Sequence, residues 1–199
     1  PMAITDDVFS AVAYENATLT VPMGYAEKYL IIEEELPVNQ GQPSIRNIIR
    51  SDAASSVKET KIVNNKVITK GEFRLHVLFC SEDDRSPYHF DETVPFSQII
   101  EMDNLTNACC CSVSADIASY DVKPRSNYEG EVRNISLCAK LTLTADACCD
   151  NNITVVLDAY SPKISAVTET SDVQFLKHKN TISDTFVCKK KLEFSDGEL

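Results

Sequence analysis

Glu72-Phe73-Arg74-Leu75-His76-Val77-Leu78-Phe79-Cys80 is the stretch that decides the fold, because large apolar residues recur at every second position. Side chains on a strand point alternately to opposite faces, so this period of two predicts a strand with one buried face. The stretch 134–145 repeats the pattern more strongly, and shorter alternating runs occupy 8–21, 28–36, 54–63, 88–94, 109–120, 153–160, 163–176 and 182–194. The sequence therefore predicts an all-β protein, an antiparallel β-sandwich.

Polar turns are expected between these strands, and one short segment has helical spacing instead. Asn64-Asn65 and Asp150-Asn151-Asn152 are typical turn sequences. Over 43–50, Ser44 precedes isoleucines at positions i, i+3 and i+4. A serine is a good helix N-cap, so this spacing predicts one or two turns of helix lying on the sheet.

Composition and charge exclude several classes of function. The 43% apolar content is enough for a hydrophobic core. The sequence has no run of about 18 apolar residues, so no membrane-spanning helix is expected. The formal net charge of −11 argues against nucleic acid and anionic membranes as partners. The segment 1–7 lacks the basic and apolar regions of a secretory signal, so synthesis in the cytoplasm is expected.

The end of the chain repeats a pattern from its beginning. Val187-Cys188-Lys189-Lys190-Lys191-Leu192 matches Ile31-Ile32-Glu33-Glu34-Glu35-Leu36 in having two apolar residues, three charges and a leucine. We therefore divide the chain into an N-terminal extension or strand (1–24), a β module (25–160) and a C-terminal extension (161–199). The last of these resembles the first strands of a second module, which predicts strands that need a partner.

The two charged triplets have opposite signs, and two interpretations stay open. Charges on an exposed strand edge discourage aggregation, and this is the simpler explanation. Alternatively, the lysine strand of one subunit docks beside the glutamate strand of a neighbour. The candidate interface residues are then Glu33, Glu34, Glu35, Lys189, Lys190 and Lys191.

Five segments in order resemble a known family. They are Pro43-Ser44-Ile45 leading to Ile48-Ile49-Arg50, Lys66-Val67-Ile68-Thr69-Lys70-Gly71, Leu75-His76-Val77-Leu78-Phe79, Val94-Pro95-Phe96-Ser97-Gln98 and Asp158-Ala159-Tyr160. The series resembles the SPOCS-domain family, the spore coat assembly module of endospore-forming bacteria, over about 25–160. The resemblance implies a noncatalytic module used to build the outer layers of spores, often in tandem and often beside a peptidoglycan-binding LysM domain.

This chain differs from that pattern in having no LysM-like segment and in having eight cysteines. Strand parity places Cys109 and Cys111 on the face of Val113 and Ile117, where small buried side chains are expected. Other cysteines point outward or lie at a strand end, so we expect disulfides there, including at least one between subunits. The candidates are Cys80, Cys110, Cys138, Cys148, Cys149 and Cys188.

The spore context implied by the family explains how a cytoplasmic protein forms disulfides. A reducing cytosol suppresses them, but a coat protein meets oxidant after the mother cell lyses. A soft-metal cluster of Cys109–Cys111 with Cys148–Cys149 is an alternative use of the same cysteines. Metals and other cofactors are otherwise not expected.

No catalytic motif occurs in the sequence, and an enzyme is not expected. The sequence predicts a self-assembling structural protein of the spore surface, a coat, exosporium or appendage subunit joined by strand addition and disulfides. It is expected to form a homo-oligomer or polymer, and other spore coat proteins are further expected partners. Two alternatives remain: a noncatalytic binding module that recruits a coat morphogenetic partner, and a cysteine-dependent redox enzyme.

Overall fold

The computed structural model describes residues 11–39, 41–162, 169 and 171–179. In these residues the chain forms six strands and no helix, so the predicted all-β class is confirmed. The strands are β1 (Ala11–Pro37), β2 (Ile45–Val63), β3 (Lys66–Ser81), β4 (Pro87–Glu101), β5 (Cys110–Ser126) and β6 (Val132–Tyr160).

The strands form two antiparallel sheets of three strands each, in the orders β1-β6-β5 and β2-β3-β4. The buried side chains of both sheets form one hydrophobic core. The centre of that core comes from the middle strands, because their alternating positions are fully buried, as the sequence predicts. These residues are Phe73, Leu75, Val77 and Phe79 on β3 and Ile135, Leu137, Ala139, Leu141, Leu143 and Ala145 on β6.

Polar contacts fix the two sheets relative to each other at their β2 and β5 strands. The Tyr120 hydroxyl of β5 donates a hydrogen bond of 2.8 Å to the Ser51 carbonyl of β2. The Ser55 hydroxyl of β2 donates one of 2.7 Å to the Ala115 carbonyl of β5. The Tyr120 ring also packs edge-on against Phe73, with centroids 6.5 Å apart. The Tyr120 ring thus connects the hydrophobic core to the contact between β2 and β5.

The predicted helix at 43–50 is wrong, because strand β2 begins at Ile45. Two β-bulges with β3 lie here, between Ile45 and Asn47 and between Ile48 and Arg50. A bulge adds one residue to a strand and shifts its alternation by one. Ile45 and Ile48 consequently pair with Ser81 and Phe79, which are both buried on the same face of β3. A bulged strand thus reproduces the i, i+3 spacing of a helix.

The predicted turn at Asn64-Asn65 is confirmed, whereas the one at 150–152 is wrong. Asn64 and Asn65 both have positive φ (44° and 63°) and join β2 to β3 as a two-residue hairpin loop. Residues 150–152 instead continue β6, which merges the predicted strands 134–145 and 153–160. Likewise β1 merges 8–21 with 28–36 over its described part, with a bulge at Pro22/Gly24.

The C-terminal extension forms no strand in the part that the structure describes. Residue 169 and residues 171–179 have no strand pairing, so the strand predicted at 163–176 is wrong over those positions. The repeated pattern at 187–192 lies outside the described residues.

Candidate functional site: a projecting ribbon and its cysteine cluster

Strands β1 and β6 extend well beyond β5. Pairing of β5 with β6 begins at Cys110 opposite Cys148, while β1 and β6 stay paired as far as Ala11 opposite Tyr160. Within the described residues, the segment 150–160 of β6 therefore has a strand partner on one side only. We call 11–20 of β1 with 150–160 of β6 the ribbon. At about 3.3 Å per residue it extends roughly 35 Å.

Polar side chains form a ladder along one face of the ribbon. The Thr20 hydroxyl donates to Asp150 Oδ1 at 2.7 Å, and the Thr18 hydroxyl donates to Asn152 Oδ1 at 2.7 Å. In the next pair, the Thr154 hydroxyl donates to Asn16 Oδ1 at 2.8 Å. These cross-strand pairs explain why a turn-like sequence at 150–152 is held as a strand.

On the opposite face of the ribbon, four apolar side chains are half-buried, whereas Glu15 and Asn151 are exposed. Ala17 lies opposite Ile153, and Leu19 and Val155 belong to the same face. Two-stranded ribbons with both faces in water are marginally stable alone. The ribbon therefore combines half-buried apolar side chains with a backbone edge of β6 that has no strand partner among the described residues.

The C-terminal segment contacts the ribbon at Thr20. The Thr20 N–H donates to the Leu176 carbonyl at 3.1 Å, and the His178 N–H donates to the Thr20 hydroxyl at 2.7 Å. Lys177 lies 3.5 Å from Asp150 in an ion pair. The Thr20 hydrogen bond, followed by the charge of Lys177, lowers the pKa of the Asp150 carboxyl. This segment nevertheless leaves apolar side chains exposed, namely Val173, Phe175 and Leu176.

A disulfide joins Cys109 to Cys149 at the base of the ribbon. Their Cα atoms are 4.3 Å apart, a distance typical of directly opposed strand residues that lack mutual hydrogen bonds. Cys109 is buried, and Cys149 packs against the core. The disulfide candidate Cys149 is therefore bonded within the chain. Its partner Cys109, expected to be only a buried apolar residue, is part of a covalent link between β6 and the start of β5.

Cys110 and Cys148 lie directly opposite each other on the other face of the same two strands, both as free thiols. Cys110 is exposed and Cys148 is half-buried. Burial, together with the nearby Cys110 and Asp150, raises the pKa of the Cys148 thiol. The two residues line a cleft of about 350 Å³ with Thr20, Ala108, Asp150, Lys177, His178 and Lys179. The structure thus brings two crosslink candidates together.

The other cysteines lie apart from this pair. Cys138 is exposed near the start of β6, with its thiol 4.0 Å from Glu33 Oε1. Cys80 lies on the other sheet, where its thiol donates to the Arg85 carbonyl at 3.2 Å. Burial, with a contribution from Asp146, raises the pKa of the Cys111 thiol to about 11. Cys188 is outside the described residues.

Glu33, Glu34 and Glu35 lie exposed on β1, which is an edge strand of its sheet. They pair with Cys138, Leu137 and Ser136 of β6. Glu34 has the parity of the buried Ile32 and Leu36 but is itself exposed. Charges on an edge strand hinder unwanted strand pairing. Lys189, Lys190 and Lys191 lie outside the described residues.

The described residues hold no group of three or more His, Cys, Asp or Glu side chains placed to bind a metal ion. The Cys109–Cys149 bond also takes two thiols away from the soft-metal cluster considered as an alternative. In the same part of the chain, no helix has the length and apolar character needed to cross a bilayer.

The fold and the cysteine cluster define a class of protein: an all-β module of two sheets with a projecting ribbon and an internal disulfide. Residues 44–125 match the family model described as SipL, SPOCS domain, which confirms the resemblance noted in the sequence over that segment. The SPOCS domain is a spore coat assembly domain, so the match over this segment implies a spore coat-associated protein. No curated protein and no solved structure shows significant similarity to the chain.

The matched segment covers β2, β3, β4 and nearly all of β5. The ribbon, β6 and the C-terminal segment therefore lie outside it. The Cys109–Cys149 disulfide links the matched segment to β6.

Proposed function

We propose that this chain is a self-assembling structural protein of the bacterial spore surface, joined by strand addition and by disulfides between subunits. The observation that carries the proposal is the ribbon, whose β6 edge is unpaired over 150–160 in the described residues. The SPOCS match supports a location on the spore. We further propose synthesis in the mother-cell cytoplasm and deposition in an outer layer as a coat, exosporium or appendage subunit.

Strand addition places a peptide against an exposed sheet edge, where its backbone supplies the missing hydrogen bonds. We propose that the strand comes from the C-terminal extension of a neighbouring copy, because 182–194 has strand-like alternation and resembles the opening of the module. Exposed apolar side chains at Val173 and Leu176 also favour a contact for this extension. Glu33–Glu35 lie on β1 opposite Ser136–Cys138, away from the free β6 edge at 150–160. Docking of lysines 189–191 beside them is therefore a second contact of the same extension, worth about 0.2 to 1 kcal/mol per pair.

Deleting 177–199 tests strand addition. We expect the full chain to form polymers in negative-stain microscopy and the truncated chain to stay monomeric, because the added strand is lost. Unfolding of both chains by circular dichroism checks that the truncated module is folded. A synthetic peptide of 177–199 should cap growing ends and shorten the polymers, whereas a scrambled peptide of the same composition should have no effect.

Assembly that persists undiminished in the truncated chain would show that another segment joins the subunits. A full chain that elutes as a 22.1 kDa monomer under all conditions would favour the alternative, a binding module that recruits a coat morphogenetic partner. Such a module would still bind its partner as a single copy.

Exposed thiols are the expected sites of covalent links after assembly. Cys138 and Cys110 are the exposed ones among the described residues, and Cys80, Cys148 and Cys188 remain candidates. Oxidised polymers should give ladders on non-reducing gels that collapse with thiol. Replacing Cys110, Cys138 and Cys148 with serine should remove most of the ladder, whereas Cys111→Ser should preserve it. If every candidate cysteine titrates as a free thiol in assembled material, the links are not disulfides.

A further inference from the structure

Cys110 and Cys148 have the geometry for a second cross-strand disulfide. Opposed pairs on antiparallel strands alternate between Cα separations of about 4.5 and about 5.5 Å. The neighbouring pair Cys109–Cys149 has the short separation of 4.3 Å. Cys110 and Cys148 occupy the next pair, so a Cα–Cα separation of about 5.5 Å is expected. This separation is within the usual range for disulfides. Their sulfurs lie on the face opposite the existing bond.

Basic residues surround this dithiol. Lys177, His178 and Lys179 line the same cleft, and Asp150 is the one carboxylate there among the described residues. Asp150 is paired with Lys177 at 3.5 Å, so the balance of charge in the cleft is positive when the lysines are protonated. A positive cleft concentrates anions from solution.

We infer that Cys110 and Cys148 form a thiol–disulfide exchange site that reacts preferentially with small anionic disulfides. The thiolate of the exposed Cys110 attacks one sulfur of the small disulfide, giving a mixed disulfide and releasing one small thiolate. Cys148 then loses its proton to water, and its sulfur attacks Cys110 Sγ and displaces the second small thiolate. Two protein thiols are oxidised and one small disulfide is reduced. The step takes place in a single chain, so it goes beyond the proposed assembly and does not depend on it. Chains in which Cys110 and Cys148 are bonded to each other link to other subunits through the remaining thiols.

The test uses dithiobis(nitrobenzoic acid), a dianionic disulfide, on the full chain, followed by peptide mass mapping. The peptide pair that carries Cys109–Cys111 and Cys148–Cys149 should lose two hydrogen atoms and carry no nitrobenzoate adduct. In Cys148→Ser and Cys148→Ala, which circular dichroism checks for folding, the same peptides should retain one adduct on Cys110. Cys111→Ser is the matched control and should behave like the unaltered chain. Stable adducts on both Cys110 and Cys148 of the unaltered chain would overturn the exchange site.

The charge preference is tested separately, in a chain whose Cys80, Cys138 and Cys188 are replaced by serine. The double substitution Lys177→Gln with Lys179→Gln removes two positive charges from the cleft. At low salt it should lower the ratio of the reaction rate with the dianionic reagent to the rate with neutral dithiodipyridine by about threefold or more. The matched control is Lys66→Gln with Lys70→Gln on the other sheet, which should leave this ratio unchanged. An unchanged ratio in the cleft variant would overturn the preference for anions.

Discussion

Phe73→Ala should lower the free energy of unfolding by about 3 to 5 kcal/mol, the usual cost of removing a fully buried phenylalanine. Phe73 has no exposed surface, and its ring packs edge-on against Tyr120 of the facing sheet. The substitution therefore leaves a cavity where the two sheets meet. It also removes the ring against which Tyr120 packs, and Tyr120 is the residue whose hydroxyl donates a hydrogen bond to the Ser51 carbonyl of β2. Chemical denaturation of the monomeric truncated chain measures the loss.

Leu78→Ala is the matched control for this prediction. Leu78 lies on the same strand but on the opposite face and is 38% exposed, so its loss should cost under about 1 kcal/mol. Phe73→Leu should fall between the two, because part of the cavity is filled. Equal costs for Phe73→Ala and Leu78→Ala would mean that β3 does not bury the face that its alternation indicates.

The central strands could be predicted because their alternation survives in the structure without a shift. The buried faces of β3 and β6 are those of the pattern at 73–79 and 135–145. The pattern failed where bulges interrupt it, as at Ile45 and Ile48, because an inserted residue makes a strand imitate helical spacing. Cross-strand bonding also overrode a local turn propensity at 150–152, where Thr20 and Thr18 lie opposite Asp150 and Asn152.

The Cys109–Cys149 bond was missed because it depends on register and not on spacing. The two residues are separated by 40 positions and face each other only if the β5–β6 hairpin turns near Glu129. The turn signal existed in Asn127 and Gly130, where Asn127 Oδ1 accepts hydrogen bonds from the backbone of Glu129 and Glu131. Two register shifts, at Ile117/Ser119 and Arg125/Ser126, intervene between that turn and the cysteines. Sequence periodicity alone does not fix how such shifts combine.

Outward parity was predicted correctly for Cys110 and Cys138, which are both exposed. That two outward thiols face each other could not be predicted, because the pairing of β5 with β6 was not known. The ribbon was likewise hidden, since it arises from the unequal lengths of β1, β5 and β6. A sequence pattern predicts which side chains share a face of a strand. Which part of a sheet edge lacks a partner depends on the relative lengths of the paired strands, which the pattern does not predict.

Removing the Cys109–Cys149 bond should destabilise the folded chain by about 4 kcal/mol, the chain-entropy value for a loop of 40 residues. The double variant Cys109→Ala with Cys149→Ala keeps small apolar groups at positions that pack on the core, so the lost crosslink should dominate. The bond also holds the start of β5 against β6 at the base of the ribbon. Hydrogen exchange of backbone amides near 110–113 should therefore become faster in the double variant than in the unaltered chain.

Reductant separates the lost crosslink from altered packing. A phosphine that cleaves the bond should destabilise the unaltered chain by a similar amount and should not change the double variant further. The matched control is Cys110→Ala with Cys148→Ala, which retains the Cys109–Cys149 bond and should remain as sensitive to phosphine as the unaltered chain. If phosphine leaves the unaltered chain's denaturation midpoint unchanged, the bond does not contribute to stability, and the cost of the double variant belongs to packing.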